Sequence, residues 1–428
     1  MPFSAVLSSR PLAEEIAAFY ALEYRLVANP YPLYKRIREQ APIFRSNDKV
    51  LISTYEDVRA MMTHPAVYQG ISVKGTRFRN AAAQLREQER QRMAEMFGFF
   101  EQRVGGANGA HHMRLRKLAT KAFTPKVVAH MEARIEEIAN KLLDPLDRTQ
   151  PIEFIDAYAF HLPLIVISEM LDISPEDRDD LRRWANSLGR FVGADWSDGG
   201  IIAASHEAMF NLRRYLTAVF NERRDGPTTD LLGALINAED GGDTFSEEEL
   251  VAMITQFIFA GHETSTMFLG NALVALLGEY RSDWDALCAD PTMVPSATDE
   301  LLRFDSPTQN IDKLAAADFD FRGVQIHQGD TINVMLASAN HDETVFDDPD
   351  RLDIQRGPVA HVTFGRGPHH CLGASLARME AQTSLRLLTQ RFPNMRLATD
   401  EVVWRSTHMN RGPETLPIVL EPATSGTA

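Results

Sequence analysis

The sequence predicts a mainly α protein with small β-sheets, folded as a single domain over residues 1–428, with about 1–20 and 420–428 flexible. Three observations carry this expectation. Apolar residues recur at helical spacing from Asn29 almost to the C-terminus. The β-branched runs are few, short and bounded by glycine. No internal repeat and no linker-like stretch divides the chain.

In chain order, NPYPLYKRIREQ opens a helix with Asn29 and two prolines. KVLISTY is a strand, and EDVRAMMTHP returns to helix. Residues 80–103 are rich in helix formers, with Asn80 as cap and Gly75, Gly105, Gly106 and Gly109 as flexible joints. This helix is either a solvated surface element or a lid over a pocket. Helical patterns continue over 112–143, 174–191 and 201–224, the last two separated by the loop GADWSDGG. The run FSEEELVAMITQFIFAGHETSTMFLGNALVALLGEY is one long helix. Ser246 and Glu249 form its capping box, and its wide apolar surface places it at the centre of the fold. Residues 318–336 read as a hairpin of short strands turning at Gly323 and Gly329. A loop over 342–358 follows, and the final helix begins directly after Cys371.

A net charge of −15 repels phosphate backbones, which argues against a nucleic-acid partner. Two cysteines, Cys288 and Cys371, exclude a disulfide framework and fit a reducing cytoplasm. The start has no long apolar core, and no stretch reaches the roughly 20 apolar residues of a membrane span. A cytoplasmic protein is expected.

The segment HVTFGRGPHHCLGASLARMEAQ is the most informative. Gly365, Gly367 and Pro368 impose a tight loop, and Cys371 stands where that loop enters a helix. Unpaired N–H groups and the positive helix dipole favour a thiolate there. Gly373 lets a planar cofactor approach the sulfur. A helix-start cysteine alone fits a buried, inert side chain equally well. Cys288, in ALCADP, has none of this context and reads as structural.

The spacing FGxGxHxCxG, carried by Phe364, Gly365, Gly367, His369, Cys371 and Gly373, resembles the haem-binding loop of the cytochrome P-450 family in its soluble bacterial form. Ala377, Arg378 and Glu380 extend the likeness. The resemblance implies the P-450 fold, with haem b between the long central helix and the cysteine-bearing helix. Cys371 would then be the axial ligand, a thiolate that favours O–O cleavage.

Ala260-Gly261-His262-Glu263-Thr264 lies in the long helix. A mid-helix glycine costs about 1 kcal/mol against alanine, and Thr264 can bond its own backbone and open the helix locally. By itself the motif is equally a polar patch facing another helix. The resemblance makes Ala260 and Gly261 part of the haem wall, and Glu263 and Thr264 an acid–alcohol pair that delivers protons. Glu300 and Arg303 sit three apart on one helix face. The resemblance adds Arg351 and makes the three a structural charged triad. It also assigns His112, Arg116 and His369 to the haem propionates, with Lys313 where many members have arginine.

The chain departs from the family at GGANGA, before His112, and at Asn340-His341-Asp342. The substrate pocket implied by the resemblance includes Phe257, Gln309, Asn310, Ile311, Met409 and Asn410. Arg77, Arg79 and Arg86 are either solvated or available to an acidic substrate. The implied function is a haem-thiolate monooxygenase that inserts one oxygen atom from O2 into a small organic substrate by hydroxylation, epoxidation or oxidative dealkylation. Electrons would come from NAD(P)H through a ferredoxin reductase and ferredoxin, docking at Arg114, Lys117, Lys121 and Arg366. The alternatives are a peroxide-driven haem-thiolate oxygenase and a non-catalytic haem or ligand-binding sensor. Neither needs Glu263 and Thr264.

Overall fold

Short strands gather at one end of a helical body because their β-branched residues bury completely against one another. In the computed structural model, which describes residues 10–46, 49–70, 73–193, 196, 198–223 and 230–421, the main sheet has five strands. Their spatial order is Ile43–Ser46, Lys49–Ile52, Thr331–Val334, Ile311–Ala315 and Val67–Gln69. Val50, Ile52, Ile332 and Val334 are fully buried in its core.

The expected hairpin over 318–336 splits in two. Phe319–Phe321 and Val324–Ile326 pair around Gly323, whose φ is +83°. Thr331–Val334 leaves this pair and runs parallel to Lys49–Ile52 and antiparallel to Ile311–Ala315. All four of its residues are buried, so it belongs in the middle of a sheet and not on an exposed hairpin.

The central helix, Glu247–Leu277, has 31 residues and carries the expected Ser246–Glu249 capping box. It packs against helices His161–Met170, Arg178–Gly193, Gly199–Arg223 and Ala374–Arg391. The pattern over 112–143 resolves into Gly109–Ala122, Pro125–His130 and Glu132–Leu143, broken where Thr124 caps the Val127 N–H at 3.2 Å. Leu12–Tyr20 is a helix with Ile16 and Phe19 buried, so this part of the N-terminal stretch expected to be flexible is packed instead. Residues 1–9, 422–428 and part of the GADWSDGG loop lie outside the described residues.

The region 80–103 also differs from expectation. It forms two helices, Thr76–Ala82 and Glu87–Glu101, and Asn80 lies inside the first instead of capping a single one. The second buries Met93, Met96, Phe97 and Phe100, so it is a packed element and not a solvated one. Gly105 and Gly106 are not joints. A Cβ on Gly105 would lie 2.5 Å from Gln256 Nε2, and one on Gly106 would lie 2.0 Å from the Phe100 carbonyl oxygen. Close packing demands glycine at Gly106, where the clash is with backbone; at Gly105 the atom met is the end of the Gln256 side chain. No described helix is long and apolar enough to cross a membrane.

Candidate functional site

A cavity of about 260 Å3 separates the central helix from the cysteine loop. Ala260, Gly261, Thr264 and Ser265 form one wall, and Phe364, Gly365, His369, Cys371 and Gly373 the opposite one. Ile311 and Thr308 close a side.

The cysteine loop is rigid for identifiable reasons. Gly365 and Gly367 have φ of +71° and +73°, a region that favours glycine. A Cβ on Gly367 would lie 2.6 Å from Thr63 Cγ2. The Cys371 N–H donates to the Phe364 carbonyl at 2.8 Å, and Arg116 donates to the His370 carbonyl at 2.7 Å. Asn340 braces the loop start: its Oδ1 accepts from the Val362 N–H at 2.8 Å, and its Nδ2 donates to Thr363 Oγ1 at 2.9 Å.

Cys371 is exposed to this cavity, yet it lies deep in the fold. Burial pushes its thiol up from the ordinary value, while the Gly373 N–H and the Arg116 and Arg378 guanidinium groups pull it down. The helix behind it starts only at Ala374, three residues on. The expected helix-dipole thiolate is therefore not achieved by the chain alone. A coordinated metal cation supplies that deprotonation where one is bound. Cys288 is partly buried and pushed up to about 11 by desolvation, in keeping with a structural residue.

At the cavity rim four cation-capable groups meet without a carboxylate among them. The His112 and His369 rings lie 3.8 Å apart, and His112 Nε2 and His369 Nδ1 are buried without a hydrogen-bond partner. Burial, then His112, Lys313 and Arg116, pull His369 down to about 3. Burial pulls Lys313 down to about 8, its Nζ bonded only to Gln69 Oε1 at 2.6 Å. Such a cluster is complementary to a dianionic ligand edge. A cavity with glycines on two walls, a thiol on one and this rim fits a haem. An added Cβ on Gly373 would meet nothing within 4 Å, so protein packing does not demand that glycine.

Glu263 and Thr264 do not share the cavity. Thr264 Oγ1 donates to the Ala260 carbonyl at 3.1 Å, and the helix runs unbroken through both, without the expected opening. Glu263 faces a second cavity of about 460 Å3, lined also by Phe160, Met409 and Asn410, where Arg405 stands 3.7 Å away. Adjacent helical residues diverge by 100°, which places the two side chains on different faces.

Several other expectations are corrected. Arg351 is not the third member of the triad. Arg303 grips both Glu300 oxygens at 2.8 Å, and the second cation is Arg356, with Nε 3.0 Å from Glu300 Oε1. Arg351 contributes only its carbonyl, which accepts from Arg303 and Arg356. Gln309 and Asn310 are buried away from both cavities. Gln309 donates to the Ser306 carbonyl at 2.7 Å, and Asn310 donates to the His408 carbonyl at 2.6 Å. Phe257 packs against Phe123 and lines neither cavity.

The arginines offered to an acidic substrate are engaged elsewhere: Arg77 with Asp312, Arg79 with Thr76 and Arg86 with Glu89. Arg114 pairs with Glu249, and Lys117 and Lys121 both pair with Asp240, at 2.9 and 2.7 Å. Of the four proposed docking cations, only Arg366 is exposed without a partner among the described residues.

Sequence reasoning noted Glu380 only as part of a motif and gave it no role. It is buried in the cavity floor, accepts from Ser265 Oγ at 2.7 Å, and is pushed up to about 8 by desolvation. Its partner lies 115 residues away, so no local signal marks the pair.

The family description "Cytochrome P-450" matches residues 193–281 and 289–409. The chain is 36% identical to cytochrome P-450 107B1 of Saccharopolyspora erythraea, over 94% of this chain and 98% of that one. It is 34% identical to the vitamin D(3) 25-hydroxylase of Pseudonocardia autotrophica, over 93% and 95%. The solved structure of PksS, a cytochrome P-450 of the Bacillus subtilis bacillaene polyketide synthase, superposes with a TM-score of 0.82 at 32% identity, covering 94% of this chain and 99% of that one.

Proposed function

The chain belongs to the cytochrome P-450 family of monooxygenases, and on that premise we propose that it inserts one oxygen atom from O2 into a small organic substrate, with electrons passed from NAD(P)H through a ferredoxin reductase and a ferredoxin. The observation that carries this reading is the cavity with Cys371 on one wall, Ala260 and Thr264 on the other, and His112, Arg116, Lys313 and His369 around it.

Cys371 would ligate the haem iron, and those four groups would hold the propionates. Haem supplies the oxygen-activating iron, and a thiolate ligand favours O–O cleavage over reversible oxygen binding. The chain's own residues then govern protons and water. Thr264 Oγ1 holds a proton over the cavity, tethered to the Ala260 carbonyl. Glu263 meets the second cavity and is loosely held by Arg405 at 3.7 Å, so it can exchange protons with solvent and rotate.

The test is the carbon monoxide spectrum of the reduced protein, compared with that of Cys371→His. The thiolate-type band is expected in the first and absent from the second. An unchanged band in Cys371→His would remove Cys371 from the iron. Product formation that requires NAD(P)H, ferredoxin and reductase supports the electron route. Full activity with peroxide alone would favour the peroxide-driven alternative.

A further inference from the structure

The second cavity has a charge balance opposite to that of the chain around it. Its volume is about 460 Å3, and its charged lining residues are Arg190, Arg405 and Glu263. The chain as a whole carries −15. An excess of cations in a concave, partly apolar site raises the local concentration of anions.

Local structure brings these cations together. Arg182, Asn186 and Arg190 recur at intervals of four on helix Arg178–Gly193, so they share one face. Arg405 comes from a different element, the turn between strands Val403–Trp404 and Pro413–Thr415, where its N–H donates to the Gly412 carbonyl at 3.1 Å. Phe160 connects the two. It lines the cavity, and the Arg182 guanidinium lies over its ring, 4.7 Å from the centroid. The fully buried His262 ring packs edge-on to Phe160, with centres 5.4 Å apart. Burial lowers His262, and Arg405 and Arg182 lower it further, against the Ile258 carbonyl and Glu263. One buried imidazole thus feels guanidinium groups from both elements.

The cations are under-paired. Arg405 Nη1 stands 3.7 Å from Glu263 Oε1, beyond hydrogen-bonding distance. Arg190 meets no carboxylate among the described residues. Asn186 and Arg190 also line a hollow on the outer side of the helix, together with Arg182, Arg183 and Asp179. The basic face therefore runs from solvent into the cavity. A single negative charge on Arg405 would leave Arg190 unmatched. A phosphate monoester carries about two charges near neutral pH and three acceptor oxygens, which suit forked guanidinium donors. The remaining wall is apolar, with Ile201, Phe259, Met267 and Met409 beside Phe160.

We propose that the second cavity binds a phosphate monoester with an apolar body, its phosphate held by Arg190 and Arg405 and its body against Phe160, Phe259 and Met409. The ligand takes Arg405 from Glu263. The site shares no lining residue with the Cys371 cavity, and its occupation does not depend on the monooxygenase reading.

Calorimetric titration of the purified haem-loaded protein, at about pH 7.5 and low salt, compares phenyl phosphate, inorganic phosphate and phenol while imidazole saturates the haem. Phenyl phosphate is expected to bind about tenfold more tightly than either of the others, or better. Arg190→Gln and Arg405→Gln should each weaken it about tenfold, and Glu263→Gln should tighten it about threefold by removing the competing carboxylate. Absence of phenyl phosphate binding, or equal binding of phenol or inorganic phosphate, overturns the proposal. Binding that imidazole displaces would put the ester in the haem cavity and also overturn it. Unchanged affinity in either arginine variant would place the phosphate elsewhere, with the same result.

Discussion

Replacing Arg356 or Arg351 with alanine separates the geometry of the charged triad from its expected composition. Arg356 Nε donates to Glu300 Oε1 at 3.0 Å, and Glu300 is fully buried. Arg303 remains on both Glu300 oxygens when Arg356 is removed, and the Asp353 N–H still donates to Oε1 at 3.0 Å. The buried carboxylate thus stays paired. What is lost is one charge-assisted hydrogen bond, worth about 1.5–3 kcal/mol. The carbonyls of Asp347, Asp348 and Arg351 also lose a donor, but these contacts are exposed and water replaces them.

Arg303→Ala is more severe. It strands Glu300 without its bidentate partner, at about 3–5 kcal/mol. The Arg351 side chain makes no hydrogen bond or ion pair among the described residues, so Arg351→Ala should stay within about 0.5 kcal/mol. Urea unfolding at a constant slope measures all three, with the expected order of cost Arg303, Arg356, Arg351. Haem retention after gel filtration should follow the same order, because Arg303 also donates to the Asn340 carbonyl at 2.8 Å and Asn340 braces the cysteine loop. An Arg351→Ala variant as unstable as Arg356→Ala would refute the assignment.

Three further outcomes are expected. Thr264→Ala should keep its haem and its NAD(P)H consumption but release peroxide in place of product; tightly coupled product formation would take Thr264 out of proton handling. Glu380 is raised by burial from 4.5 to about 8, so the folded state holds its proton more tightly than the unfolded chain does. The stability it contributes is complete below about pH 4.5 and is lost as pH rises through about 8, on the order of a few kcal/mol in all. Glu380→Gln keeps an acceptor for Ser265 without the ionisation, so it should gain on the wild type in urea midpoints between pH 5.5 and 8.5, and parallel pH profiles would contradict this. Asp240→Asn frees Lys117 and Lys121, so reduction by ferredoxin at low salt should quicken and become more salt-dependent. Unchanged reduction would place the docking face elsewhere.

What the sequence disclosed depended on how local each constraint is. The cysteine loop was legible because its requirements sit in consecutive residues: positive φ at Gly365 and Gly367, and an open approach at Gly373. The start of the central helix was legible because Ser246 and Glu249 satisfy each other within one turn. Arg351 was mistaken for Arg356 because both belong to one short loop, and only the fold decides which guanidinium turns back to Glu300. Gln309 and Asn310 read as ligand-facing amides, yet their partners come from Tyr31, Asn333 and His408, which no local pattern connects to them.

Helix geometry bears on two of the expectations. Neighbours on a helix point 100° apart, so an acid–alcohol pair at Glu263 and Thr264 reaches toward two faces of the central helix. The basic stripe of Arg114, Lys117 and Lys121 has the spacing of a single helix face, which says nothing about what lies across from it. There stand Glu249 and Asp240, at the start of the central helix and in the short strand pair just before it. In a chain of net charge −15 an isolated cation is the exception, and a cation stripe is better read as half of an ion-pair network until its opposite face is known. By the same reasoning Arg366, the one cation of that docking set exposed without a partner among the described residues, is where partner recognition is most economically placed.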